Sequence, residues 1–507
     1  MSAVDYLIVG AGAAGAVLAA RLSEDTAKRV LLLEAGPDFP DAASMPVSLR
    51  EEFQVTDPAY DWALGARICA GNDSFLARGR VVGGSTQTNA RGAMRPPASD
   101  FAAWAGLGLP SWSWERVLPS FMRIENDLDH GDRPYHGDSG PLPIVRWRQE
   151  ELVPGAAAFL DAVAAAGLPT CEDLNAPDAD GVGSYPQNRR GKDRVSTNHA
   201  FLAQARSRPN FELRSGAEVS RVVMRGGRAV GVEVDGEVIE AREVILCAGA
   251  PFSPALLLRS GIGPAGDLRR LGIDVVLDAP GVGQRVLDQP GAAVPVVPTP
   301  AAGADLWPTN QVAGRLTGPP GFSADDSLYL VLFSGINIPP LAKMVGSDLL
   351  TMVSIGDLAP ASRGSVTLRS ADPKEPPAVD LNFYSADGDL ARMRGALRLA
   401  WELAHQGRFP ATVERFALLD DDTVSDDDKL DGVLRMTTTS RWSVLGGCAM
   451  GPGSDPMAVV DEQCRVRGVE GLRVVDASIV PVPLRAPNAL SCMMLGEHAS
   501  TLIATSG

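Results

Sequence analysis

Hydrophobic residues open the chain almost without interruption: Val4-Asp5-Tyr6-Leu7-Ile8-Val9 reads as a buried strand, since a strand covered on both faces is apolar nearly throughout. Ala16 to Ser23 has helical composition, and Val30 to Leu33 reads as a second buried strand ending in Glu34. Residues 211–247 alternate apolar and polar positions, as in Val230-Gly-Val-Glu-Val234. With Gly226-Gly227 between the runs, that pattern predicts a meander of short strands. The meander ends in a buried strand, Val244 to Ala248, running into Gly249, and Ala250 to Gly263 predicts a short helix stopped by glycine. Residues 363–369 alternate as a strand, Asp387 to Gln406 has helical spacing, Leu472 to Val475 resumes strand character, and Leu490–Ile503 predicts a closing helix. The acidic run Asp420 to Asp428 reads as a solvated loop, and residues 291–350, rich in Pro, Ala and Gly, carry no legible chemistry.

Between the first strand and the first helix lies Gly10-Ala-Gly12-Ala-Ala-Gly15. Gly10 makes the tight turn, Gly12 lets a pyrophosphate approach the backbone, and Gly15 allows close packing of helix on strand. The helix amino-terminus then offers unpaired N–H groups and a positive dipole end to phosphates. Glu34, at the end of the next strand, is placed to accept bonds from an adenosine ribose. This unit predicts dinucleotide binding without separating FAD from NAD. Farther on, Gly83-Gly84-Ser85-Thr86 is a loop with little side-chain bulk, suited to a flat ring or a phosphate, and Asn89 adds a donor and an acceptor.

Composition narrows the classes. The chain has 507 residues, 45% hydrophobic and 21% charged, enough to bury a core and to form two or three domains. Its net charge of −16 disfavours a nucleic-acid partner, because a phosphate backbone would be repelled. The start Met-Ser-Ala-Val-Asp has no basic region, and the apolar stretch Gly12 to Ala20 is about half a membrane span. No membrane span and a cytoplasmic location are therefore expected. Arginine far outnumbers lysine and alanine is abundant, which points to a high-GC bacterial gene. The six cysteines form no CxxC pair, so free thiols are expected, and five histidines without a clustered motif point to no metal site.

Taken together these segments resemble the glucose–methanol–choline (GMC) family of FAD-dependent oxidoreductases. Gly79 to Arg95 looks like the first family signature, with Thr88 where an aliphatic residue is usual, and Gly249 to Gly263 fits the second, GAxxSPxLLxxSGIG. Trp112 to Pro119, Gly281 to Asp288 and Val474 to Ser478 resemble three further family elements in the right order. The resemblance implies an α/β chain: a Rossmann-like FAD-binding domain from residues 1–150, 215–295 and 455–507, and an α+β substrate domain from 151–214 and 296–454. The antiparallel sheet of that second domain would roof the flavin. It implies FAD contacts from Gly10, Gly12, Ala13, Ala14, Gly15, Glu34 and Ala35, and from Arg80, Gly83, Gly84, Ser85 and Asn89. Val219, Ala248, Gly249, Asp476, Ala477 and Asn488 complete the implied set. It further implies a small-molecule alcohol as substrate, hydride transfer to flavin N5, and an electron acceptor such as oxygen or a quinone. Oligomeric state is left open. No histidine lies near Gly83 to Arg95 for a covalent flavin link.

The departure lies at the catalytic base. Where the family pattern has Trp-His, this chain has Trp442-Ser443, and the second catalytic position, His or Asn in the family, falls on Ala489 with Asn488 one residue away. A serine hydroxyl is a poor base near neutral pH. Three readings stay open: dehydrogenation with His199, water or a substrate-borne base; different flavin chemistry, with Arg485 or Arg441 holding a carboxylate; or a flavin-binding module without catalysis. The Arg485-Ala-Pro loop also resembles the mycofactocin-linked subgroup. His130 and His136 read as members of a charged loop, His405 as part of a helix, and His498 as a satisfied helix histidine.

Overall fold

The computed structural model describes residues 4–41, 43–51, 57–303 and 308–505. Met1 to Ala3, part of the start read above, lie outside the described residues.

The predicted opening unit is present. Val4–Val9 and Val30–Leu33 are adjacent parallel strands, and the helix between them spans Ala13–Leu22. They belong to a sheet whose spatial order is Phe211–Arg214, Val30–Leu33, Val4–Val9, Glu237–Leu246, Arg228–Val234, Val219–Arg225, with Leu472–Val474 also beside Glu237–Leu246. Val30–Leu33 is apolar and buried throughout and Val4–Val9 nearly so, as strands covered on both faces are. Four of them end together, at Val9, Leu33, Leu246 and Val474, so the loops beginning Gly10, Glu34, Cys247 and Val475 gather at one sheet edge. In open α/β sheets that carboxyl edge is where ligands bind. The closing helix, Ala489–Ala504, packs on the first helix so tightly that a Cβ on Gly496 would stand 2.3 Å from the Ala14 carbonyl oxygen.

A second sheet is wholly antiparallel, in the order Val413–Phe416, Pro290–Pro298, Leu350–Asp357, Ser327–Ile336, Val312–Thr317, Gly181–Ser184. Leu328, Leu330, Leu332, Val353 and Ile355 point into a core shared with the helices Pro154–Ala165 and Asp389–Ala404. The intervening residues Tyr329, Val331, Phe333, Met352 and Ser354 face the other way, into a cavity, as the two-residue period of a strand requires. This is the α/β architecture expected, with a parallel sheet for a cofactor and an antiparallel sheet above it. The first strand of the antiparallel sheet begins at Pro290, and Phe211–Arg214 lies in the parallel one.

One local reading is corrected. Asp420 to Asp428 is not a solvated loop. Asp420 caps a short helix at Asp421–Ser425 by accepting the Thr423 amide, and Asp426 caps Asp427–Thr437 by accepting the amides of Asp428 and Lys429. The acidic run thus consists of helix caps and first turns, where carboxylates meet unpaired N–H groups. His136 lies in a charged loop, as read, and is 3% exposed there, among Glu125, Asp127 and Asp173. The six cysteines are all free, five of them buried.

Candidate active site

A cavity of about 990 Å³ runs from the carboxyl edge of the parallel sheet to the underside of the antiparallel one. The glycine loop forms one end. Gly10 has φ of +100°, and an added Cβ would stand 2.5 Å from the Cys247 carbonyl oxygen; a Cβ on Gly15 would stand 2.0 Å from the Gly10 carbonyl oxygen. These two glycines are demanded by the fold itself. Gly12 differs: its φ of −80° suits any residue, and a Cβ there would meet only the Gly84 Cα at 3.9 Å. It caps the first helix without any side-chain cap, at a point that opens on the cavity. An uncapped helix start with space in front of it fits a phosphate.

Glu34 lies next to that point. Its buried carboxylate accepts the Ala11 and Gly36 amides, each at 2.9 Å, while burial pushes its pKa up to about 7. The second glycine loop leans on the first. Gly83, at φ +99°, donates its amide to the Ala11 carbonyl at 2.8 Å, and a Cβ on Gly84 would stand 2.7 Å from the Gly12 Cα. Arg80 stacks 4.9 Å from the Trp62 ring centre and pairs with Glu218 at 3.1 Å. Asn89 accepts from the Arg91 amide and from Arg194.

Asp476 acts as a staple. One oxygen accepts the Gly249 amide at 2.8 Å and the Ser253 hydroxyl at 2.5 Å; the other takes the Ser478 amide and hydroxyl. The loops following two parallel strands are thereby fixed to each other beside the first helix.

At the other end lies the turn Ser440 to Ser443. Asp288, fully buried, accepts the Gln289 amide at 2.8 Å and the Ser443 amide at 3.0 Å on one oxygen, and the Ser440 hydroxyl on the other. Burial raises its pKa, and these donors oppose the rise. Trp442 is forced to a left-handed φ of +58°, an unusual state for a bulky residue. Its carbonyl accepts from Arg78 at 3.1 Å. The Ser443 hydroxyl has only a 3.5 Å contact with the Arg441 carbonyl. Asn488, at the N-cap of the closing helix, donates weakly to the Val444 carbonyl at 3.4 Å, and Ala489 follows it.

Most residues singled out in the sequence therefore line one cavity: Gly10, Gly12, Ala13, Ala14, Glu34, Ala35, Arg80, Gly84, Ser85 and Asn89, with Val219, Ala248, Gly249, Asp476, Ala477, Ser443, Asn488 and Ala489. Gly15 and Gly83 support it from behind. His199 and Arg485 are not among the lining residues. His199 contacts the Ser196 hydroxyl at 3.2 Å, and burial lowers its pKa. Arg485 is turned to Asp100, with Nε at 2.6 Å from the carboxylate. The sequence reading missed Tyr185, Tyr329, Phe333, Met352 and Ser354, which wall the far end. Residues 328–333 are apolar on both faces, so no alternation marks the side that meets the cavity.

Among the described lining residues there is no histidine. The Cys492 thiol is pushed up to about 12 by burial, and the Tyr185 and Tyr329 phenols are also raised. None of these is a base near neutral pH.

Comparison with known proteins agrees with this geometry. A family model described as GMC oxidoreductase matches residues 4–291 with its N-terminal part and 360–496 with its C-terminal part. An uncharacterized GMC-type oxidoreductase of Rhodococcus erythropolis is 37% identical, over 98% of each chain. The oxygen-dependent choline dehydrogenase of Brucella canis is 35% identical, over 98% of this chain and 94% of its own. The crystal structure of pyridoxine 4-oxidase from Mesorbium loti matches with a TM-score of 0.89 at 30% identity, over 99% of each chain. The chain belongs to the GMC oxidoreductase family and is an FAD-dependent enzyme.

Proposed function

We propose that this enzyme oxidises a small alcohol at the inner end of the cavity, with Ser443 and Ala489 in the two positions where the family pattern has its catalytic pair, and without an imidazole base. The observation that carries the reading is the single cavity joining Gly12 and Glu34 to Ser443 and Asn488 beneath the antiparallel sheet. FAD, when bound, would supply the two-electron acceptor for a hydride from the carbinol carbon. The chain's part is placement. Gly12 and the first helix would hold the phosphates and Glu34 the ribose, and the turn fixed by Asp288 closes the reacting end. With no histidine among the described lining residues and the phenols and Cys492 held protonated, the hydroxyl proton leaves to water or to a group on the substrate. The relatives support an alcohol: choline and pyridoxine, named for two of them, each bear a hydroxyl. Oxygen or a quinone would take the electrons on.

The test is a visible spectrum of the purified protein followed by anaerobic titration with a panel of primary and secondary alcohols. A flavin band bleached by at least one alcohol is expected. A full flavin complement that no alcohol reduces would overturn the reading and favour a flavin-binding module.

A further inference from the structure

Arg441 lies at the substrate end of the cavity, and among the described residues it forms no ion pair. Among the described residues no carboxylate lies within ion-pair distance of its guanidinium; its polar neighbours are two hydroxyls, that of Ser354, which accepts from Nη1 at 2.9 Å, and that of Tyr329. The acid that braces this turn, Asp288, acts on Arg441 only as a neighbouring charge, since its oxygens are occupied by Ser440, Ser443 and Gln289. A guanidinium carries five N–H donors, and removing it from water without an anion is costly. Burial accordingly presses its pKa down.

The sheet is built to hold this side chain. Gly291 and Gly356 are directly opposite each other on neighbouring strands. A Cβ on Gly356 would stand 2.5 Å from the Arg441 Cδ, and one on Gly291 would stand 2.9 Å from its Cγ. The stem therefore lies flat across a gap that two missing side chains create. Tyr329, opposite Gly356 on the next strand, places its ring centre 4.5 Å from the guanidinium carbon. Strand, glycine pair and aromatic ring fix the cation at the cavity wall, two residues from Ser443. Phe333, Met352 and Val331 continue that wall as apolar surface.

We infer that the substrate of this enzyme is a carboxylate, held by Arg441 at the head of an apolar tail. This rests on the alcohol-oxidising reading above and narrows it to hydroxy acids. A planar guanidinium pairs with a carboxylate through two parallel N–H···O bonds, the strongest neutral-pH contact available to either group. The same cation repels a quaternary ammonium, so choline would be a poor fit. In the reaction served, the carbinol C–H leaves as hydride to the flavin and the O–H proton passes to water. The product is the oxo acid, and an external acceptor, oxygen or a quinone, removes the two electrons. Arg441 binds and orients; it neither gives nor takes a proton.

Binding can be read without turnover. The flavin-loaded protein is titrated with hexanoate, with the neutral isostere hexanamide and with hexylammonium, following the flavin band and the melting temperature. Hexanoate should bind at least about 10-fold more tightly than hexanamide, as expected for a charge-assisted pair, and hexylammonium should bind most weakly. Arg441→Met should erase the preference for hexanoate, and Arg441→Lys should keep part of it. Equal binding of hexanoate and hexanamide by the unaltered protein, or no binding of hexanoate, would overturn the inference even if the Met variant fails to fold. So would a preference that survives in Arg441→Met. Reduction of the flavin by neutral alcohols with indifference to hexanoate would sink the carboxylate alone; preference for hexanoate with no alcohol reducing the flavin would sink the alcohol-oxidising reading instead.

Discussion

Asp288 positions Ser443 by its backbone: the carboxylate accepts the Ser443 amide at 3.0 Å on the oxygen that also takes the Gln289 amide, and its other oxygen holds the Ser440 hydroxyl. Three donors from two distant segments thus share one buried acid. Asp288→Ala strands them, at about 1–3 kcal/mol for each buried donor left unsatisfied. Asp288→Asn keeps one carbonyl oxygen for the two amides, and the Ser440 hydroxyl can rotate to accept from the new amide. Thermal melting should therefore fall steeply for Ala and slightly for Asn. Equal losses in the two variants would mean that the charge, and not the acceptor geometry, holds the turn.

Ser443 itself is expected to be replaceable. Its hydroxyl makes one weak contact, so Ser443→Ala should change anaerobic flavin reduction by less than about 10-fold, the scale of a single neutral hydrogen bond. Ser443→His brings an imidazole of unperturbed pKa about 6.5 to the family's base position. General-base help is worth about 10²–10⁴-fold, and flavin reduction by simple primary alcohols should rise by about 10²-fold. A loss beyond about 10³-fold in Ser443→Ala would exceed one hydrogen bond and give the hydroxyl an essential role.

The glycines divide into two kinds by the space behind them. A Cβ at Gly15 collides with the Gly10 carbonyl oxygen at 2.0 Å, whereas one at Gly12 meets nothing closer than the Gly84 Cα at 3.9 Å. Gly15→Ala should lower stability first and flavin content as a consequence. Gly12→Ala should fold and lose flavin, and Gly12→Val more so, because the added methyls point into the phosphate position. The ratio of flavin absorbance to protein absorbance, measured beside the melting curve, separates the two. Gly12→Val protein that melts normally and stays fully yellow would remove Gly12 from the cofactor site.

What could be read in advance follows from the range of the interactions. Gly10, Gly12, Gly15 and Glu34 lie within one strand–helix–strand unit of short sequence range, so the unit itself was legible. The substrate wall was not. Leu328, Leu330 and Leu332 face helices while Tyr329, Val331 and Phe333 face the cavity, and a strand apolar on both sides shows no alternation. Arg441 was visible as a candidate cation, but its seat needs Gly291 and Gly356 paired across strands distant in sequence. Arg485 looked equally eligible until Asp100, from the far end of the chain, was seen to neutralise it.

His136 supplies the pH dependence. Its Nδ1 lies 2.9 Å from Glu125 and its Nε2 lies 3.0 Å from Asp173; Arg146 bridges Asp127 at 2.8 Å and Asp173 at 3.0 Å, and Arg95 pairs with Glu125. Three buried carboxylates thus face two arginines and the imidazole, with Arg133 at 3.6 Å from Asp173 and Asp129 at 3.6 Å from Arg146 outside them. The His136 pKa is raised: burial opposes the charge, but bonds to Asp173 and Glu125 outweigh it. The folded protein therefore holds this proton more tightly than the unfolded chain. Its stabilisation is complete below the unfolded value of about 6.5 and is lost as pH rises through the higher folded value. His136→Gln should cost about 3–5 kcal/mol near pH 6, the scale for breaking a buried pair, and the gap to the unaltered protein should narrow as pH rises toward about 9. Glu125, Asp127 and His136 also have the spacing of metal ligands, but two guanidinium groups already supply the cations. A chelator should leave the melting temperature unchanged at both pH values. A gap that is the same at pH 6 and pH 9, or a chelator-sensitive melt, would show that something other than the His136 proton balances these three carboxylates.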